Sequence, residues 1–132
     1  MRQKIIGTYY AGNESVQVVL RDDFGGEFYL TPEIGSVPRI KVGADEQDWH
    51  MVSATLLHEI LELLFDRLKC RFTPTNEFSN NHSAYLFVVD HTNFSDICYR
   101  AAEFLDCALP PLKKEWKRWN KKEKDKNLDF LS

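Results

Sequence analysis

The sequence has few cysteines and no long uninterrupted apolar run. Its three cysteines, Cys70, Cys98 and Cys107, are an odd number and none forms a Cys-x-x-Cys pair. This pattern predicts reduced thiols that pack as small hydrophobic residues in a reducing compartment. No segment has the apolar length needed to cross a bilayer, and the apolar run near Met1 is too short for a signal peptide. We therefore expect a soluble, cytoplasmic protein.

Two common catalytic motifs are also missing. The chain has no Gly-x-Ser-x-Gly sequence, so a serine nucleophile of that type is not indicated. Gly25 and Gly26 are not followed by the Lys and the Ser or Thr of a phosphate-binding loop, which argues against nucleotide binding.

Positive charge is scarce outside one segment. The chain carries a net charge of −3, but residues 113–126 hold eight Lys or Arg and three acids, so this segment is +5 and the rest is −8. Phosphate contacts need dense Lys and Arg, so the acidic body is not expected to bind nucleic acid. The basic segment alone could contact an acidic partner.

The composition predicts one globular α+β domain over residues 1–109, followed by a helical tail over residues 110–132. At 132 residues and 43% apolar content, the chain can bury a core without disulfide or metal staples. Residues 3–42 have the β pattern of antiparallel hairpins or a meander, because short runs rich in Val, Ile, Tyr and Phe alternate with turn residues. These runs are Lys4–Tyr10, Ser15–Leu20, Glu27–Leu30 and Arg39–Val42.

A long central helix is predicted over Trp49–Lys69, with Asp45 as its N-cap. Apolar residues recur at helical spacing round most of its circumference, which predicts a largely buried helix. One narrow polar stripe remains, and its members are Thr55, His58, Glu59, Glu62 and Asp66.

After this helix, Cys70–Ser83 has the composition of a long loop. Ala84–Val89 is a continuous apolar run, which predicts a strand buried on both faces. A second helix follows over Phe94–Ala108, with Thr92 or Asn93 as its N-cap.

Pro110 and Pro111 are expected to stop or restart the second helix. The tail, Leu112–Lys126, is amphipathic, because Trp116 and Trp119 lie on one side of a helix otherwise covered with charge. The two tryptophans either dock the tail on the body or contact a partner or a membrane surface.

The polar stripe contains the best candidate for chemistry. His58 and Glu62 are four residues apart, so they lie on one helix face and could share one divalent ion such as Zn²⁺. Glu59 could then act as a general base on metal-activated water. His91, at the end of the predicted buried strand, is the preferred third ligand, and His82 and Glu103 are the alternatives.

The run from Thr55 to Glu62 resembles the active-site helix of zincin metallopeptidases, whose signature is His-Glu-x-x-His. It is also similar to small phage and prophage proteins in which such a helix precedes a strand that ends in a His. The resemblance covers mainly residues 37–65 and more faintly residues 84–105. It implies zinc binding by His58, a base role for Glu59 and hydrolysis of a peptide or amide. Glu62 stands where the family has its second His.

Two alternatives to this site remain open. In the first, Glu59 and Glu62 are neutralised by Arg39, Arg67 or Arg100, and His58 is a satisfied core histidine. In the second, the protein is a non-enzymatic phage-type inhibitor, similar to an anti-CRISPR protein, whose acidic body masks a basic surface of a host enzyme or defence complex. The acids expected to take part are Asp22, Asp23, Glu27, Asp45, Glu46 and Asp48.

Overall fold

The computed structural model describes residues 2–30, 36–45, 48–72 and 86–131, with side chains described as far as residue 121. This part of the chain contains both strands and helices, and they do not alternate regularly as in an α/β protein. The α+β class is confirmed. The elements are β1 Gln3–Ala11, β2 Glu14–Arg21, β3 Gly26–Tyr29, β4 Arg39–Gly43, α1 Trp49–Arg67, β5 Arg71–Phe72, β6 Leu86–Phe87 and α2 His91–Leu131.

The main sheet is mixed, which corrects the prediction of purely antiparallel hairpins. Its strand order is β1-β2-β4-β3, with β2 and β4 parallel and the outer pairs antiparallel. The chain therefore leaves β2, forms the edge strand β3 and returns to insert β4 between them. The two central strands, β2 and β4, bury alternate Val, Ile and Leu side chains completely, because a central strand is shielded from water on both sides.

The core lies on one face of this sheet. Val16, Val18 and Leu20 of β2 are fully buried there, as are Ile40 and Val42 of β4. Both helices pack on the same face, because each presents an apolar stripe at helical spacing. The helical members of the core include Val52, Leu56, Ile60 and Leu63 from α1, and Ile97, Phe104, Ala108 and Leu112 from α2.

Aspartates cap both helices, but not at the residues predicted. The side chain of Asp48, rather than Asp45, accepts the backbone N–H of Met51 at 2.8 Å. Asp90, rather than Thr92 or Asn93, accepts the backbone N–H of Asn93 at 2.7 Å. Each aspartate stands three residues before the N–H that it accepts, which is the usual geometry of an N-cap.

The prediction of a strand buried on both faces over Ala84–Val89 is wrong. The strand β6 has only two residues, and it pairs with β5 outside the main sheet. Leu86 is 51% exposed and Val88 is 64% exposed, so these two residues do not lie in the core. The predicted loop Cys70–Ser83 lies mostly outside the described residues, and its described part includes the strand β5.

The helix α2 continues through Pro110 and Pro111, contrary to the predicted stop or restart. The prolines lack the N–H groups that would bond the carbonyls of residues 106 and 107, and both of those residues are exposed, where water can satisfy a carbonyl. Trp119 is buried, and the Trp116 ring packs 5.7 Å from that of Trp49.

Both tail tryptophans therefore dock on the body. The division into a domain over residues 1–109 and a separate tail stays a prediction. No described helix combines the length and apolar character needed to span a membrane.

Candidate functional site

Three potential metal donors converge on α1. One donor atom each from His58, Glu59 and Glu62 can be chosen so that all three lie within 4.8 Å of one another. The Nε2 atom of His58 is 3.6 Å from Oε1 of Glu62 and 4.0 Å from Oε1 of Glu59. Because the three residues span little more than one helical turn, the helix itself places them on one side. An imidazole nitrogen and two carboxylates could hold a divalent ion.

Glu59 is the buried member of this group, since only 6% of its surface is exposed. Among the described residues its carboxylate accepts no hydrogen bond, and His58 is its ion-pair partner at 4.0 Å. Burial raises the pKa of Glu59, an effect that His58 opposes and Glu62 reinforces. A buried carboxylate with so few partners favours a proton or a cation beside it.

The three donors lie beside an open groove between α1 and β3, which we call the α1–β3 groove. It has a volume of about 550 Å³. Its walls are residues 26–30 of β3 and the following turn, Glu59, Glu62 and Asp66 of α1, and Arg71 of β5. His58 lies at the neighbouring cavity of about 460 Å³, which shares Gly26 and Glu59 with the groove.

Gly26 allows β3 to lie close against α1. A Cβ atom at this position would be 2.5 Å from Cγ2 of Thr55 and 3.2 Å from Cγ of Glu59. No side chain can be accommodated at such distances without movement of its neighbours. The absence of a side chain therefore sets the width of the groove beside the three donors.

Glu27 also faces the groove, but its charge is already compensated. Its carboxylate pairs with Arg21, which also pairs with Asp23 at 2.8 Å. A hydrogen bond from Tyr29 lowers the pKa of Glu27, and Arg21 lowers it further, against the opposing effect of burial. Glu59 lacks that degree of compensation, because Arg71 lowers its pKa by less than burial raises it.

The three candidates for an additional ligand do not join this group in the described part of the chain. His91 is the exposed first residue of α2 and is not a member of the cluster. Glu103 accepts the backbone N–H of Gly12 at 3.1 Å and lines a different cavity. His82 lies outside the described residues.

The predicted structural alternative for the stripe is wrong in the described part of the chain. Arg39 donates to Gln17, Arg67 pairs with Glu14 and Arg100 pairs with Asp96, so these arginines are engaged elsewhere. The His58 side chain is 64% exposed, so it is not a core histidine.

The sequence did not identify Gly26 or Arg71 as part of the site. A glycine next to a turn and an arginine after a helix have no periodic pattern that would indicate which helix they face. Only the packing of β3 and β5 beside α1 brings them to the groove.

The acids of the inhibitor hypothesis are dispersed over several local structures. Internal partners engage four of the six: Asp22, Asp23, Glu27 and Asp48. Asp45 is exposed, and Glu46 lies outside the described residues. Masking of a basic partner by this surface stays a prediction.

Comparison with known proteins gives no relative, since no protein-family model, no curated protein and no solved structure matches the chain. What the chain does is therefore inferred from its own residues and their geometry.

Proposed function

We propose that the protein is a metal-dependent hydrolase that acts on a peptide or amide and holds one divalent ion, Zn²⁺ or a similar metal, with His58, Glu59 and Glu62. The observation that carries this proposal is the convergence of three donor atoms within 4.8 Å beside an open groove. Three protein ligands with a remaining open position are the usual arrangement of a catalytic zinc site.

The burial of Glu59 supports this proposal independently of the cluster. Exposed acids often lie near one another without binding an ion, but Glu59 is nearly inaccessible and accepts no hydrogen bond in the described part of the chain. Ionisation of such a carboxylate is costly unless a cation lies beside it. A bound ion would remove that cost.

Each residue then has a distinct role. His58 offers an exposed imidazole nitrogen, Glu62 a partly exposed carboxylate and Glu59 a buried carboxylate. When bound, an ion of this kind supplies Lewis-acid activation of water near neutral pH. The α1–β3 groove would receive the substrate, with Arg71 on its wall.

The resemblance to zincins supports the same chemistry, with one change of role. In that family the residue equivalent to Glu59 is the base, and a second His binds the zinc together with the first. Here the second His is replaced by Glu62, and the described residues offer Glu59 as the third donor. We assign Glu59 to the ligand set for this reason.

Metal binding tests the proposal directly. The apo protein, prepared with a chelator, is titrated with Zn²⁺ and with Mn²⁺ by calorimetry, and the metal content is checked by elemental analysis. We expect one ion per chain, and we expect His58→Ala and Glu62→Gln to weaken binding by ~10-fold or more. His50→Ala is the matched control, because His50 is an exposed histidine on the same helix outside the cluster.

Turnover is then measured with a mixture of peptides whose cleavage is followed by mass spectrometry. A chelator and His58→Ala should both abolish cleavage, whereas His50→Ala should retain it. Failure of the parent protein to bind any divalent ion would overturn the metal site. If Glu59→Gln keeps one ion per chain and loses only turnover, Glu59 is instead the base that the zincin resemblance implies.

A further inference from the structure

The face of the main sheet opposite the helices carries a cleft of about 290 Å³. The register places its lining residues side by side: Gln17 is paired with Arg39, and Val19 is flanked by Ile5 and Lys41. The full lining is Gln3, Ile5, Gln17, Val19, Arg39 and Lys41. It contains two cations, two amides and two apolar side chains, but no acid.

Among the described residues, neither cation of this cleft forms a close ion pair, although Glu27 attracts Lys41 at longer range. Among the described residues, no carboxylate lies within 4.0 Å of Arg39 or Lys41. Glu27 is the strand neighbour of Lys41, but its carboxylate is engaged with Arg21. Two like charges two residues apart on one strand repel each other, so an anion between them would relieve an unfavourable interaction.

Existing contacts orient both cations. The Nε atom of Arg39 donates to Oε1 of Gln17 at 2.8 Å, and within the described part of the chain its two terminal nitrogens remain for another acceptor. The Nζ atom of Lys41 lies 5.7 Å from the centre of the Tyr29 ring. The guanidinium therefore offers a planar pair of donors beside an ammonium group on a central strand of a rigid sheet.

We propose that this cleft binds the phosphate of a small phosphomonoester. A phosphomonoester carries a charge of about −1.5 to −2 at neutral pH, which matches the two neighbouring cations better than a single carboxylate does. Ile5 lies beside the cations and is 60% exposed, so an apolar group attached to the phosphate would contact it. The cleft is too small for a folded partner. This site is separate from the α1–β3 groove and does not depend on the proposed metal.

The experiment is a titration of the full chain with phenyl phosphate, followed by two-dimensional NMR at pH 7.5 in dilute chloride buffer. We expect saturable shifts confined to β1, β2 and β4, with tighter binding of phenyl phosphate than of inorganic phosphate or of benzoate. The double variant Arg39→Gln, Lys41→Gln should raise the dissociation constant by ~10-fold or more, since two charge-assisted contacts are lost.

A second double variant controls for general attraction to positive charge. Lys114→Gln, Lys117→Gln removes the same charge from exposed positions on α2 and should leave binding unchanged. The single variant Lys41→Gln breaks no hydrogen bond to a described residue, so its weaker binding would count even if Arg39→Gln lowered the melting temperature. Equal weakening by both double variants, or the absence of saturable binding to the parent protein, would overturn the proposal.

Discussion

The contact between Gly26 and α1 can be tested by adding a single methyl group. Gly26 does not have the positive φ that is found at Gly25, so its backbone conformation is accessible to alanine. The new Cβ, however, would lie 2.5 Å from Cγ2 of Thr55. The Thr55 methyl cannot rotate away cheaply, because Oγ1 of the same β-branched residue donates to the carbonyl of Met51 at 2.8 Å.

The expected cost follows from these distances. Overpacking of one methyl group in a well-packed contact costs about 1–3 kcal/mol. The loss of glycine flexibility in the unfolded chain returns about 0.4–1 kcal/mol. We therefore expect Gly26→Ala to lower the free energy of unfolding by ~1–2 kcal/mol, measured by urea denaturation at pH 7 with chelator present.

A second substitution separates this contact from any other effect of alanine. Thr55→Ser removes the methyl group in question and keeps the hydroxyl that donates to Met51. In the Thr55→Ser background, Gly26→Ala should cost ~1 kcal/mol less than in the parent. The reasoning is refuted if Gly26→Ala is as stable as the parent, or if its cost is the same in both backgrounds.

Three further substitutions test charge and burial. Because burial raises the pKa of Glu59, the metal-free native state binds the proton of this carboxyl more tightly than the unfolded state does. The free energy of unfolding therefore falls as pH rises above 4.5, the ordinary pKa of a glutamate. Glu59→Gln should thus stabilise the metal-free protein by ~1–3 kcal/mol at pH 7, as measured by urea denaturation, and this gain should disappear below pH 4.5. A variant less stable than the parent at pH 7 would contradict this reasoning. Glu115 is the opposite case: burial would raise its pKa, but the hydrogen bonds from Trp119 and Lys4 outweigh burial and lower it. Glu115→Gln should therefore lower the free energy of unfolding by ~1–3 kcal/mol at pH 7, and this difference from the parent should shrink as pH falls below 4.5. A difference that does not change with pH would refute the prediction. Trp119→Ala should lower the free energy of unfolding by ~3–5 kcal/mol, whereas an effect under 1 kcal/mol would show that the tail contributes little to stability.

Local patterns in the sequence predict the elements of this fold well. The four strands of the main sheet and the start of α1 at Trp49 were predicted to within two residues, because alternation, helical periodicity and turn residues act over short distances. The parallel pairing of β2 with β4 was missed, since strand order depends on contacts between distant residues. The exposure of Leu86 was missed for the same reason: an apolar run does not reveal whether another element covers it.

Some features of the candidate site could likewise be predicted from the sequence, and others could not. The proximity of His58 and Glu62 was predictable, because a spacing of four residues on one helix fixes it. The burial of Glu59 was not predictable, because it results from the approach of β3 at Gly26. The engagement of the arginines at positions 39, 67 and 100 with other partners was not predictable either, since sequence does not show which acid a long side chain will reach.

The position of β3 has a consequence for access to the groove. In the main sheet β3 is bonded to β4 alone, through only four residue pairs, whereas β1 and β2 form a much longer hairpin. Separation of β3 from β4 would widen the groove while the hairpin and the core under α1 stayed closed. Amide hydrogens of residues 26–29 should then exchange with solvent together, and ahead of those in β2. The weakest line of hydrogen bonds in the sheet and the entrance to the candidate site are thus the same place.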